Sequence, residues 1–367
     1  MKLREKISWL MGTLQQHLFP RLEECWERAF TDKEQQLVSI LELIQIEKFV
    51  IPSSPQRFGR KRHDRRALAR AFVAKAVYNH PYTCSTREAL RTSRGLRRLC
   101  GYARRCDIPS ESVFSRAFAE FAEMGLGDRV HAALVKQWVS PELVGHISRD
   151  ATAIQGREKP VAKPKPPQPA PRKKGRPRRG EVREPKPETR LERQCRQSAP
   201  EALAELPVHC DVGMKKNSKG YKQAWVGYKL HVDVNDCGLP ISAVLTAASL
   251  HESQVAIPLM KMTSERIDYL YDLMDSAYDA KPIYEMSRSL GHVPIIDKNN
   301  RKGKAVPLAP HEARRYQERT VAERFNSRLK EGFGAGNVMV RGAAKVRLHL
   351  MFGIMALFAD QLLKLAS

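Results

Sequence analysis

The sequence predicts an α/β protein: a helical N-terminal unit, then a mixed sheet with flanking helices, the sheet region being interrupted by a basic, proline-rich insertion. Three observations carry that prediction. Residues 1 to about 143 place apolar side chains at helical spacing, and residues from about 205 onward alternate β-branched runs with helical ones. Between them, from about 157 to 205, lies a stretch dense in Pro, Lys and Arg that cannot bury a core.

Composition bounds the partner. The chain has 367 residues and 42% hydrophobic content, enough for two or three folded domains. Its 64 Lys and Arg against 40 acidic residues leave a formal charge of +24. Such an excess calls for a polyanion: nucleic acid first, an anionic membrane surface second. The charged start, Met1-Lys2-Leu3-Arg4-Glu5-Lys6, and the short apolar run after it do not make a signal peptide. The longest apolar segment, Leu348 to Leu365, carries Asp360, Gln361 and Lys364, and reads as a buried core helix rather than a membrane span. The seven cysteines form no CxxC pair, which argues against a disulfide framework or a zinc site and for free thiols in a cytoplasmic protein.

In the helical unit, Leu68 to Tyr78 has helical spacing and ends at His80-Pro81. A second unit starts near Ser85 and runs through Leu99. Ser110 is placed to cap a helix reaching about Met124, with Phe114, Phe118 and Phe121 on one side and Arg116 on another. Short helix, turn and capped helix among many arginines fit a helix-turn-helix reader of DNA; an ordinary bundle with a solvated basic face fits equally. Within the insertion, Lys174-Gly175-Arg176-Pro177-Arg178 is similar to an AT-hook, which would lay arginine in a narrow minor groove. A nonspecific basic tether touching phosphates is the simpler reading of Lys174, Arg176 and Arg178.

In the third region, Trp225 to Val234 and Pro240 to Thr246 read as paired strands joined at Asn235-Asp236-Cys237-Gly238. Glu252 to about Ser264 is a helix, Ile267 to Met274 a strand, Asp279 to Leu290 a helix and Val293 to Ile296 a short strand. His311 to Lys330 is a long helix and Ala343 to Leu365 the closing one. Val144 to Asp150, on the far side of the insertion, supplies a missing first strand. The insertion therefore interrupts a domain spanning 144 to 367.

Acidic residues stand out at two expected strand ends. Asp150 closes the first strand and Asp275 follows Ile267–Met274, the rim position where open α/β sheets collect functional groups. A third acid comes from the long helix, where Tyr316, Arg319, Glu323 and Lys330 stand at offsets of three, seven and fourteen. At about 100° per residue these fall within roughly 60° of one another around the axis. A phenol, two cations and a carboxylate on one stripe suit a surface that meets phosphates while offering oxygen to a metal. Three carboxylates are what phosphodiester cleavage needs: two divalent ions about 3.5–4 Å apart clamp the attacking and leaving oxygens, and Mg²⁺ or Mn²⁺ prefers oxygen ligands. Asp272 and Asp279 are rivals to Asp275, and Asp211 to Asp150.

At these residues the chain resembles the bacterial insertion-sequence DDE transposases, in the branch with the Y-(2)-R-(3)-E-(6)-K signature, which Tyr316, Arg319, Glu323 and Lys330 match throughout. Asp150-Ala-Thr-Ala-Ile and Asp275-Ser-Ala-Tyr-Asp279 are similar to its two aspartate motifs, Trp225 to His231 to its second strand, and Pro109 to Phe118 to its helical N-terminal domain. The resemblance covers nearly the whole chain. It implies a ribonuclease-H-like core behind a DNA-binding helical domain, with Asp150, Asp275 and Glu323 holding two Mg²⁺ ions for which Mn²⁺ can substitute. It implies that Tyr316, Arg319 and Lys330 contact the backbone of double-stranded DNA at the transposon end; Arg116 and the basic insertion with Lys174, Arg176 and Arg178 are expected to add DNA contacts from their charge and pattern alone. Water would free a 3′-OH, which then attacks the opposite strand or target DNA. The implied assembly is a homodimer on DNA, cytoplasmic and away from membranes. Two departures stand out. Ile296 to His311 is too short for the β-rich insertion of some members, so no base-stacking residue is carried over, and Ser276-Ala277 replaces the more usual Lys-Gly. A DNA-binding protein that kept this fold and lost cutting is the alternative, followed by a different metal nuclease on the same core.

Overall fold

Capping and apolar spacing start the helical unit. The computed structural model describes residues 29–50, 62–162, 188–216, 220–299 and 307–366. Thr31 accepts from the Glu34 N–H while the Glu34 carboxylate takes the Thr31 N–H, a reciprocal box that opens α1 (Asp32–Ile44). α2 (Arg65–Val77) starts on Asp64, and α3 (Thr83–Thr92) leads into α4 (Arg94–Leu99), capped by Ser93. α5 (Glu111–Glu123) and α6 (Leu126–Trp138) follow. On α5, Phe114, Phe118 and Phe121 share one face and meet Phe72 of α2 at ring separations of 5.8, 4.8 and 6.3 Å. Ser110 flanks α5 as expected, but its hydroxyl meets Ser112 instead of capping the helix.

The remaining elements are β1 (Val144–Gln155), α7 (Arg190–Arg196), α8 (Ala199–Ala204), β2 (Asp211–Lys216), β3 (Lys222–Asn235), β4 (Pro240–Ala247), α9 (Ser253–Ser264), β5 (Tyr269–Met274), α10 (Lys281–Ser289), β6 (Val293–Ile296), α11 (Pro310–Gln317), α12 (Thr320–Gly332) and α13 (Ala343–Ala366). The six strands make one mixed sheet in the order β2–β3–β1–β5–β6, with β4 also on β3. β3 is antiparallel to β1, β2 and β4; β5 and β6 run parallel to one another and to β1. This is the expected mixed sheet with flanking helices, consistent with a ribonuclease-H-like core. The β3–β4 turn is set by Asn235, whose side-chain oxygen accepts from the N–H groups of Cys237 and Leu239, and by Gly238 at φ 78°.

Four features differ from the sequence expectation. β1 does not stop at Asp150 but continues to Gln155, because β3 remains beside it to Gly227. β2 pairs with the outer half of β3, where no strand was expected. The extended segment expected to reach 205 instead folds into α7 and α8 at its end. Thr189 with Glu192 and Ser198 with Glu201 form two further capping boxes, and Lys261 of α9 donates to the carbonyls of Gln194, Cys195 and Gln197 at the end of α7. Finally, the single helix expected over 311–330 is two. At Glu318–Arg319 the hydrogen bonds tighten to an i→i+3 pattern, Arg319 N–H to Tyr316 and Val321 N–H to Glu318, with no Gly or Pro to mark it.

α13 is the core helix its charges implied: it is long and apolar enough to cross a membrane, yet 78% of its most apolar window is buried. It packs against α1, α2, α5 and α6 on one side and reaches α12 and β4 on the other. Phe352 sits 5.6 Å from Phe72, so helical unit and sheet share one apolar core. Each fully buried large side chain there contributes about 1.5–3 kcal/mol.

Candidate active site

Side chains alternate across a strand, so consecutive Arg149 and Asp150 leave β1 on opposite faces. In the parallel β1–β5 pair Ser148 is opposite Leu273. Carrying that register two residues further sets Asp150 against Asp275, just past the end of β5, with neighbouring strands about 4.8 Å apart. Asp275 starts a short 3₁₀ turn and accepts from the Ala277 N–H at 2.9 Å. Beyond this point β1 has lost its β5 neighbour, which opens the rim.

α12 roofs the pair. Asn326 donates from Nδ2 to Asp150 Oδ2 at 2.9 Å. Arg319 approaches Asp150 Oδ1 to 3.9 Å through Nη1 and bonds Glu323 Oε1 at 2.5 Å through Nη2. Its guanidinium lies 5.8 Å from the centre of the Tyr316 ring. Tyr316, Arg319, Glu323 and Asp150 are thus brought together, with Asp275 close enough to perturb the first two. Lys330 stands at the far end of α12, where burial first, and then Lys215, lowers its pKa against the pull of Asp150.

Burial is the main force raising the Asp150 carboxyl to about 6; Glu252 and Asp275 add to it, while the Ala151 N–H and Arg319 oppose it. Glu252, pushed up chiefly by burial, is ion-paired with Lys229 at 3.4 Å and also feels Asp275. Beneath these acids the Tyr278 hydroxyl is buried with no hydrogen-bond partner among the described residues. Sequence reasoning missed Asn326, Glu252 and Tyr278. Of these only Asn326 carried a signal, three residues beyond Glu323 and therefore on the same helical face.

Oxygen donors in an under-compensated negative field suit a hard divalent cation, and Asp150 with Asp275 fit that description. The expected closed cluster of three acids is not what the chain forms. Among the described residues no three His, Cys, Asp or Glu side chains gather closely enough to hold a metal. Glu323, 53% exposed, is connected to Asp150 only through Arg319. Like charges repel, and a guanidinium set between two of them relieves that repulsion.

The rivals are occupied elsewhere. Asp272 is fully buried and bonded to Arg149, Tyr269 and Ser287 on the opposite face. Asp279 accepts from Tyr284 and the Asn299 N–H, and Asp211 from Ser249. Arg116 belongs to another cleft, of about 740 Å³, lined also by Arg62, Arg65 and Ser110 in the helical unit. Lys174, Arg176 and Arg178 lie outside the described residues.

Set against known protein families, residues 150–359 match the model described as a transposase DDE domain, and residues 24–120 match one described as a transposase domain. No curated protein and no solved structure matches the chain.

Proposed function

We propose that this chain, which belongs to the DDE transposase family, binds the terminal inverted repeats of an insertion sequence, hydrolyses the phosphodiester at the element ends and joins the freed 3′-OH to target DNA. The observation that carries the reading is that Asp150 on β1 and Asp275, just past the end of the parallel neighbour β5, stand at one rim of the sheet under a helix bearing Arg319, Glu323 and Asn326. Residues 1–143 would act as the DNA-binding helical domain and 144–367 as the catalytic one, in a homodimer that holds two DNA ends. The Y-R-E-K branch fits Tyr316, Arg319, Glu323 and Lys330.

Asp150, Asp275 and Glu323 would hold two Mg²⁺ ions, or Mn²⁺ in their place, which when bound supply charge stabilisation and an acidified water. The protein does the rest. Asn326 orients Asp150 by its 2.9 Å hydrogen bond. Arg319 lies over the acids and would trade part of its carboxylate contact for a phosphate oxygen, releasing Glu323 toward the aspartates. Tyr316 and Lys330 would grip the backbone on either side. In the first step a water oxygen bonds to phosphorus and the 3′-oxygen leaves with a proton. In the second, that hydroxyl attacks a target phosphodiester whose own 3′-oxygen departs.

The test is a supercoiled plasmid carrying the DNA that flanks the gene, incubated with the full chain and Mg²⁺ or Mn²⁺. Nicks confined to the element ends, lost in D150N, D275N and E323Q, are the expected result. Specific binding without nicking under either metal would instead support a DNA-binding protein that kept the fold and lost cutting.

A further inference from the structure

Beyond Asp150 a cleft of about 530 Å³ opens between the outer end of β1, the β2–β3 ribbon and the end of α12. Its walls include Ala153 and Gln155 of β1, Lys215 of β2, Gln223 and Trp225 of β3, and Lys330 of α12. We propose that this cleft docks the backbone of the DNA strand entering the Asp150 site, with Lys215 joining Lys330 as a paired phosphate contact. The inference rests on the transposase reading above and adds a second element, the β2–β3 ribbon, to the DNA path.

Four observations converge. Register pairs Lys215 with Gln223 and Gly213 with Trp225, so Lys215, Gln223 and Trp225 share one face of the ribbon and turn toward the cleft together. No acid lines the cleft, and neither lysine has an ion-pair partner among the described residues, although Lys215 is near enough to lower the Lys330 pKa once burial has begun to. The two lysines repel one another, Asp150 offsets part of this at Lys330 and Glu252 lies within electrostatic reach of Lys215, and a phosphate between the two cations would relieve what remains. The Trp225 indole N–H is already donated to the Tyr228 carbonyl at 3.0 Å, and its ring lies so close to Gly213 that a Cβ there would come within 2.3 Å. With its N–H used, Gly213 against it and Lys229 5.9 Å over its centre, Trp225 adds carbon surface to the cleft wall and no free hydrogen-bond donor. Finally, Arg319 and Lys330 are eleven residues apart, about 16 Å along a helix, and Asn326 holds Asp150 between them. At about 3.4 Å of rise per nucleotide that span matches about five nucleotides.

The experiment is equilibrium binding of fluorescent duplex DNA to the full chain in EDTA, so that no cutting occurs. One duplex carries the element end and one an arbitrary sequence, each titrated across a range of salt. Lys215 is exposed, so K215Q is expected to fold as the wild type does. It should weaken both duplexes alike and reduce the slope of log affinity against log salt by about one. K215R should restore the slope, and K215Q with K330Q should lower it by about two. An unchanged slope in K215Q overturns the proposal while leaving the transposase reading intact, and so does a loss confined to one sequence, which would mark Lys215 as a base reader. A wild-type chain that binds neither duplex overturns both.

Discussion

The two faces of the central strand carry the same chemistry under opposite conditions. Behind the sheet, Arg149 is wholly buried and lies 2.6 Å from Asp233 and 3.3 Å from Asp272. Both acids have further donors, Thr263 on Asp233, and Ser287 and Tyr269 on Asp272. Burial alone would weaken the Arg149 charge, but the two carboxylates more than offset it and hold the guanidinium ionised. In front, Asp150 and Asp275 both lie within the field of one arginine, yet Arg319 stands 3.9 Å from Asp150 and is committed to Glu323 instead. The rear sets two acids against a guanidinium and the front three. The rear is sealed and its counter-ion permanent, so it ties β1, β3 and β5 together. The front is open and incompletely neutralised, so its balance must be completed from solution. Access and commitment, rather than residue type, separate structural from functional charge here.

The strongest way to break this contrast is to remove one member from each face. Asp150→Asn should lower end-specific cleavage by about three orders of magnitude or more while leaving the fold at least as stable as the wild type. Arg149→Met should do the reverse: it strands two buried carboxylates and should cost about 3–5 kcal/mol in chemical denaturation. If Arg149→Met proved as stable as the wild type, or Asp150→Asn unfolded, the two faces would not differ in the way described.

One group from each face should respond to pH with opposite sign. On the sealed side His231, bonded to Thr246 at 2.9 Å, is pushed down to about 3 by burial first and then by Lys229. A depressed histidine contributes stability that is present above its unfolded value of 6.5 and is lost as pH falls toward about 3. That loss is about 1.4 kcal/mol per pH unit. His131 and His349, both lowered to about 4 mainly by burial, share the same acid limb. On the open side Asp150 is raised from 3.8 to about 6, so its contribution is present below 3.8 and lost as pH rises through about 6. The difference amounts to about 3 kcal/mol in the absence of metal. In urea denaturation at stepped pH, His231→Gln should therefore flatten one share of the acid loss and Asp150→Asn should flatten the loss toward neutrality. Wild-type slopes in both variants would remove the contrast.

Much of the open face was legible in the sequence and little of the sealed face was. Asp150, Asp275 and the Tyr316–Lys330 stripe announce themselves because polar groups at a strand end or along one helical face have a local spacing. Arg149, Asp233 and Asp272 have none: they lie on three strands and meet only through register, and Asp272 looked like a rival ligand until its partners were in place. The insertion misled in a different way. Its Pro, Lys and Arg density excludes a core only as far as the density lasts, and Thr189-x-x-Glu192 and Ser198-x-x-Glu201 were readable helix starts inside the span taken as extended. The tightening at Glu318–Arg319 left no such mark, since neither residue breaks a helix.

The contrast can be sharpened at the joint that holds the open face in position. α12 carries Arg319, Glu323 and Asn326 over the acids, and its own anchor is Arg328, which donates to Asp360 at 2.6 Å and to Gln361 on α13. Asp360 is nearly buried and also accepts from Gln36 of α1 at 2.6 Å and pairs with Lys364 at 3.1 Å. One carboxylate thus links the roof of the site to the helical unit, an intermediate case between the sealed and open arginines. Asp360→Asn keeps the shape but weakens three charged or polar contacts, and should cost about 1–3 kcal/mol. Arg328→Gln, at a more exposed partner, should cost about 1 kcal/mol. If the anchor positions α12, both should reduce end-specific cleavage several-fold at temperatures where the protein remains folded, with duplex binding unchanged. Should Arg328→Gln lower thermal stability and leave the cleavage rate alone, the packing of Val321, Phe325 and Leu329 against the core is sufficient to seat the roof, and the ion pair serves only the fold.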